Sequence, residues 1–216
     1  MRSGCSLVIL AGGRSRRMGR DKAELPAGDG MLVEHLAHRL RPVVDETIIA
    51  GGPASLELAG VRRIDDRHPG MGPLAGMHAG FLKARHTLVW VVACDLPDVE
   101  PALGPLMRSL ANDCEAVVPL LDGEPEGVCA LYRRGLAPRI EALLIAGERS
   151  VRSLLARCAV RYLTALELRA VDPGLRSFRN VNTPADYATW LKTRSSRRSS
   201  SAGSVVGSRQ TNPSHR

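Results

Sequence analysis

A chain of 216 residues with 44% hydrophobic content can bury one sizeable core and is short for two, so a single folded domain is expected. No apolar run approaches the ~20 residues of a membrane span, and strand-like sequence begins by residue 7, which leaves no room for a secretory leader. The net charge of +8 suggests a nucleic-acid binder only until it is divided along the chain: residues 192–216 hold six basic and no acidic side chains, and the rest balances 24 basic against 22 acidic.

The Ser/Arg-rich end has almost no apolar residues, so residues 194–216 are expected to be a disordered basic tail behind a folded domain of residues 1–193. Such a tail reads as a solvated extension, and nucleic acid is not an expected partner of the body. The five cysteines (Cys5, Cys94, Cys114, Cys129, Cys158) are odd in number, widely spaced and without a Cys-x-x-Cys pair. That pattern suits reduced thiols in a cytoplasmic protein better than disulfides or a zinc site.

Leu7-Val8-Ile9-Leu10 predicts a buried strand, broken by Gly12-Gly13, where adjacent glycines allow positive φ and close approach of a ligand to the backbone. Arg14, Arg16, Arg17, Arg20 and Lys22 follow, five cations within nine residues. A strand entering a glycine turn ringed with cations suits a polyphosphate. The spacing fits neither a Walker loop nor a dinucleotide fingerprint. Read alone, a glycine pair of this kind is a strand–turn with a solvated basic loop.

Next, Leu32, Leu36 and Leu40 recur on one face of a helix over residues 31–40. His35 and His38 stand one turn apart on it, but no nearby ligands join them, so a solvated helix face is expected. Strands are predicted at 46–50 and 61–65, the second running into Asp66. The string Gly72-Pro73-Leu74-Ala75-Gly76-Met77-His78-Ala79-Gly80-Phe81 opens a helix, with proline where its missing N–H is harmless. Its glycines and alanines predict close packing on the sheet or on a ligand, and His78 reads as a helix-face histidine.

Residues 88–93, apolar throughout, predict a central strand buried on both faces of a largely parallel sheet. It ends in Cys94-Asp95-Leu96-Pro97. Ligands of open parallel sheets gather at the carboxyl ends of strands, so Asp95 is expected in the same crevice as Gly12-Gly13. A carboxylate there can hold Mg²⁺ against a polyphosphate, and it lies too far upstream to cap the helix predicted from Pro101 to Ala111. Beyond it come a strand at 115–119, a polar turn at 121–127, an antiparallel strand at 128–132, helices at 138–146 and 151–157, and a short edge strand at 160–163. Asn180-Val181-Asn182-Thr183-Pro184-Ala185-Asp186-Tyr187 is a turn into a last helix, with Thr183 as N-cap and Pro184 as first helical residue. Asn180 and Asn182 are not needed for that cap. Strands and helices alternate through residue 120, which predicts an α/β domain with a mostly parallel sheet.

The loop Leu10-Ala11-Gly12-Gly13-Arg14-Ser15-Arg16-Arg17-Met18-Gly19-Arg20-Asp21-Lys22 resembles that of the molybdenum cofactor guanylyltransferases, a family of the nucleotidyltransferase superfamily. The strings at 72–81, 94–97 and 180–184 resemble the same family, and the likeness covers residues 6–191. It implies a three-layer, Rossmann-like nucleotidyltransferase fold, with GTP and molybdopterin (or Mo-molybdopterin) as substrates and Mg²⁺ as cofactor. The implied reaction joins GMP to the pterin phosphate, giving the guanine dinucleotide cofactor and pyrophosphate. Leu10, Ala11, Gly12, Gly13, Arg14, Lys22, Asp66, Gly72, Pro73, Leu74 and Asp95 would bind nucleotide. Lys22, Arg17 and Asp95 would serve catalysis, with Asp95 on the metal and Arg149, Asn180 and Asn182 toward the pterin. Other proteins of cofactor synthesis or molybdoenzyme maturation are further possible partners under the same resemblance.

Two stretches depart from the family pattern. Ala50-Gly51-Gly52 stands where members can carry an asparagine, and Glu126-Gly127-Val128 where they often carry a proline followed by leucine or threonine. Gly12-Gly13 favours the guanylyl branch, because cytidylyltransferases resemble Leu-Ala-Ala-Gly at this point. A cytidylyltransferase or a sugar-phosphate nucleotidyltransferase of the same fold is the alternative. A nucleotide-sensing or nucleic-acid-binding module is the alternative of another class, against which Lys22 and Asp95 both speak.

Overall fold

The computed structural model describes residues 4–12, 22–28, 30–65, 68 and 70–202, the last eight as backbone alone. Strand β1 (Cys5–Ala11) is the hub. It pairs in parallel with β2 (Glu46–Gly51) on one side and, on the other, with β4 (Leu88–Ala93); β3 (Val61–Ile64) extends the parallel block beyond β2. Strand β5 (Ala116–Leu121) and a two-residue β6 (Glu124–Pro125) form a hairpin, and β7 (Cys129–Arg133) returns between β4 and β5, antiparallel to both. Strand β8 (Val160–Leu163) lies parallel to β5 at the edge. The order is thus β3-β2-β1-β4-β7-β5, with β6 and β8 both on β5, and the predicted central place of residues 88–93 is what is found.

Alternation along the strands builds two cores. Leu7 and Ile9 of β1 and Trp90 and Val92 of β4 face one helical layer, α1 (Leu32–Leu40), α3 (Leu103–Ser109) and α6 (Ala165–Arg169). Val8 and Leu10, with Val89 and Val91, face the other, α2 (Pro73–Lys83), α4 (Ala137–Ile145) and α5 (Val151–Leu155). Helices on both faces of a mostly parallel sheet give the three layers expected. Helix α2 lies especially close: a Cβ on Gly80 would stand 2.6 Å from Val8 Cγ1, and one on Gly76 3.0 Å from Leu10 Cδ2. Its glycines therefore serve contact with the sheet.

Glu46 lies at the end of the sheet away from the strand carboxyl termini. Its carboxylate is buried and accepts from Ser6 Oγ at 2.6 Å, Arg85 N–H at 2.9 Å and the guanidinium groups of Arg62 and Arg85. Burial works against its charge, but these donors outweigh it and hold the carboxyl below its ordinary value.

Helix α7 (Pro184–Ala202) begins at the predicted Thr183 cap, whose Oγ1 accepts from Asp186 N–H at 3.2 Å. The helical backbone runs to Ala202, into the stretch whose composition predicts disorder. Serine and arginine do not break a helix once it is capped, and the first glycine after the cap is Gly203. Among the cysteines, Cys5, Cys94 and Cys129 are buried, and burial pushes the Cys5 thiol up to about 11. None of the five forms a disulfide.

Candidate active site

Gly12 and Asp95 follow two neighbouring strands, because Leu10 of β1 pairs with Ala93 of β4. Cys94 N–H donates to Leu10 O at 3.0 Å, which ties the two strand ends together where a parallel sheet opens its crevice. Gly12 does not use the positive φ that a glycine pair predicts. That conformation belongs instead to Gly51 (φ 84°) and Gly52 (φ 76°) at the end of β2. A Cβ on Gly51 would lie 2.8 Å from both N and Cα of Gly12, so the β2 end packs backbone to backbone on the β1 end.

Three side chains from distant parts of the chain meet beside this crevice. Lys22 Nζ donates to Asp95 Oδ2 at 3.1 Å and also to Asn182 Oδ1. Asn182 is held in place by its backbone: its N–H and that of Thr183 both donate to Asp186 Oδ2, at 3.0 and 2.8 Å, and Val181 N–H donates to Asp95 O at 2.8 Å. The Thr183 hydroxyl foremost, then the N–H groups of Asn182 and Thr183, hold the Asp186 carboxyl below its ordinary value, and Lys22 adds to the effect. Asp95 Oδ1 is buried and has no hydrogen-bond partner among the described residues. An orphaned carboxylate oxygen at the strand end, with a carboxamide oxygen close by, suits a divalent cation shared with phosphates. Among the described residues no three His, Cys, Asp or Glu side chains converge, so phosphate or water oxygens would have to complete such a site.

A second group forms at the start of α2. Gly72 (φ 74°) precedes Pro73, and a Cβ on it would lie 3.1 Å from Arg149 O. The exposed Arg149 thus neighbours the loop at 72–73, although 77 residues separate it from Gly72. Leu74 is fully buried, which leaves only its backbone for a ligand, and Asn180 is exposed. His78, expected on a helix face, is buried as well, its ring 5.8 Å from that of His68. Gly13, Arg14, Arg17 and Asp66 lie outside the described residues.

Two further features belong to this site. Glu126, half-buried before β7, feels the charge of Asp95; burial first and Asp95 second push its carboxyl above the ordinary value. The departure at Glu126-Gly127-Val128 was its only signal in the sequence. The second feature is the docking of α7. Trp190 Nε1 donates to Asp98 Oδ1 at 3.1 Å, Tyr187 Oη donates to Pro26 O, and Trp190 packs with Leu25, Ala27, Leu32 and Val181. His35, predicted to be solvated, meets the Trp190 ring edge-on at 5.6 Å, and burial brings its pKa down to about 4.

A mixed α/β sheet, parallel through its first strands, whose strand ends gather a lysine, a carboxylate and a glycine turn fits a nucleotide-handling enzyme of the nucleotidyltransferase class. The MobA-like NTP transferase domain matches residues 7–163. A protein of Carboxydothermus hydrogenoformans named a probable molybdenum cofactor guanylyltransferase is 32% identical, over 87% of this chain and 95% of its own. One of the same name from Pelotomaculum thermopropionicum is 37% identical, over 83% and 88%. Among solved structures, molybdopterin-guanine dinucleotide biosynthesis protein A from Archaeoglobus fulgidus superposes with a TM-score of 0.77 at 28% identity, covering 88% of this chain and 99% of that one. The chain belongs to the MobA-like nucleotidyltransferase family. No described helix is long and apolar enough to cross a membrane.

Proposed function

We propose that this enzyme transfers GMP from GTP to the phosphate of molybdopterin, releasing pyrophosphate. The observation that carries the reading is the meeting of Lys22, Asp95 and Asn182 beside Gly12, in a chain whose relatives carry the name guanylyltransferase. In-line transfer asks little covalent work of a protein. It must align two anions that repel and neutralise the charge that develops between them.

Each part of the chain has a task in that scheme. The backbone from Leu10 through Gly13 offers close approach to the triphosphate, with Arg14 and Arg17 as counter-charges. Lys22 places a compact cation against the α-phosphate or the departing pyrophosphate. Asp66 and the turn at Gly72, Pro73 and Leu74 take the nucleoside, Leu74 through its backbone. Arg149 reaches the incoming phosphate, and Asn180 and Asn182 border the pterin. Family members use a divalent cation, for which Mg²⁺ is the proposed ion here; Asp95 would hold it through Oδ1. When bound, it neutralises charge on the reacting phosphates. We place the reaction in the cytoplasm.

Calorimetry of GTP and CTP with Mg²⁺ tests the assignment, followed by pyrophosphate release with molybdopterin as acceptor. A preference for GTP, with release that Asp95→Ala abolishes, is expected. Preference for CTP would move the enzyme to the cytidylyl branch, and full Mg²⁺-dependent activity in Asp95→Ala would refute the metal role of Asp95.

A further inference from the structure

Lys22 has two conflicting tasks. To neutralise a triphosphate its ammonium must face the crevice, yet here it is bonded to Asp95 Oδ2 and to Asn182 Oδ1. Both side chains of its ion pair are about four-fifths buried, so the contact is not a loose surface pair. The two acceptors are hard oxygens, one anionic and one neutral, drawn from well-separated segments of the chain. This is the donor chemistry of a divalent-cation subsite. A lysine, with a point charge on a flexible four-carbon stem, is the side chain best able to fill such a place and leave it again.

The surroundings call for a positive charge there. Asp95 accepts from Lys22, Asp186 accepts from the backbone N–H of Asn182, and Glu126 is close enough to Asp95 to feel its charge. Lys22 and a divalent cation cannot both have these oxygens. Lys22 holds Asp95 Oδ2 and Asn182 Oδ1, and a divalent cation drawn to Asp95 Oδ1, which has no partner among the described residues, would stand at short range from the ammonium, where the two repel. A triphosphate changes the balance because it offers the ammonium new anionic partners.

We infer that Lys22 is a built-in counter-ion which occupies the Asp95–Asn182 cation subsite while the protein is empty and gives it up when a nucleoside triphosphate draws the ammonium away. Metal and nucleotide therefore bind as a pair, and Asp95 is shielded from stray divalent cations between turnovers. The inference rests on the reading of Asp95 as a metal ligand, but its test needs neither GTP specificity nor the pterin.

Mn²⁺ is the probe, with free ion counted by electron paramagnetic resonance. Empty wild-type protein is expected to bind Mn²⁺ weakly, and Lys22→Met to bind it about ten- to a hundredfold more tightly, the usual range of coupling between two ligands of one protein. Adding Asp95→Asn to Lys22→Met should abolish the gain, which locates the ion. A urea melt checks that each variant is folded. Wild-type protein supplies a second reading that depends on no variant. Corrected for Mn²⁺ held by free nucleotide, its Mn²⁺ affinity should rise by a similar factor with a non-hydrolysable triphosphate present. Equal affinity in Lys22→Met and wild type, or equal affinity in wild type with and without triphosphate, overturns the inference. If the gain in Lys22→Met survives Asp95→Asn, the subsite lies elsewhere and the inference fails, while GTP-dependent transfer could still stand.

Discussion

Gly12→Ala separates the two reasons a glycine can stand at the end of β1. The backbone of Gly12 is not in the left-handed region, and among the described residues the nearest atom to an added Cβ is Ala50 O at 3.9 Å, ordinary contact. The described residues therefore accept the methyl without strain. Removing glycine also restricts the unfolded chain, so stability should hold or rise by ~0.4–1 kcal/mol. The methyl would instead enter the open side of the crevice. If the nucleotide lies there, the larger base loses more than the smaller one, and a single methyl is worth ~1–3 kcal/mol, roughly a 10- to 200-fold change in preference.

Urea unfolding gives the first quantity, and calorimetry with GTP and CTP gives the second. Gly51→Ala is the contrasting variant. Its φ of 84° and its 2.8 Å approach to Gly12 predict a loss of at least ~1–2 kcal/mol from backbone strain alone, with nucleotide binding weakened as Gly12 is pushed aside. The reasoning is refuted if Gly12→Ala unfolds like Gly51→Ala, or if it leaves the GTP-to-CTP preference unchanged.

Two more outcomes follow from titratable groups away from the reacting centre. Glu46→Gln should cost ~1–3 kcal/mol at pH 7, kept modest because Arg62 and Arg85 are partly exposed. The folded carboxyl titrates below its unfolded value, so its contribution is present above that value and lost as pH falls through the folded one; urea melts of variant and wild type should converge in acid. His35, held neutral to about pH 4 by burial and by Arg194 and Arg39, acts in the same direction for a different reason. The unfolded chain takes up a proton near 6.5, so stability is full above that pH and falls between 6.5 and 4; His35→Gln should flatten this part of the profile, followed through Trp190 fluorescence.

Much of the fold can be read from local pattern. The runs at 7–10 and 88–93 are apolar without a break because both faces of β1 and β4 are covered, and that cover also places Gly12 and Asp95 side by side. Helix α6 is missed although Thr164 and Glu167 spell a capping box, because five residues are too few to show a period. The pairing of Gly51 with Gly12 is missed for another reason: a glycine pair announces freedom but not which of two neighbouring turns uses it. Glu126 is visible only as a departure from the family pattern, and its nearness to Asp95 depends on β7 entering antiparallel beside β4. The bond from Lys22 to Asn182 spans 160 residues, and nothing in either segment alone predicts it.

That long-range bond decides how the site is completed. The sheet alone supplies Gly12 and Asp95; the second oxygen acceptor of Lys22, Asn182 Oδ1, arrives only when the chain returns and α7 docks. Val181 N–H on Asp95 O fixes the height of the returning segment, the Thr183–Asp186 cap fixes the direction of Asn182, and Trp190 on Asp98 anchors the helix to the loop that carries Asp95. The bonds from Val181 to Asp95 and from Trp190 to Asp98 both join this segment to the loop that follows β4. The last helix is therefore part of the wall of this crevice, and under the proposed function a change at Trp190 should reach Asp95 through Asp98 and Val181.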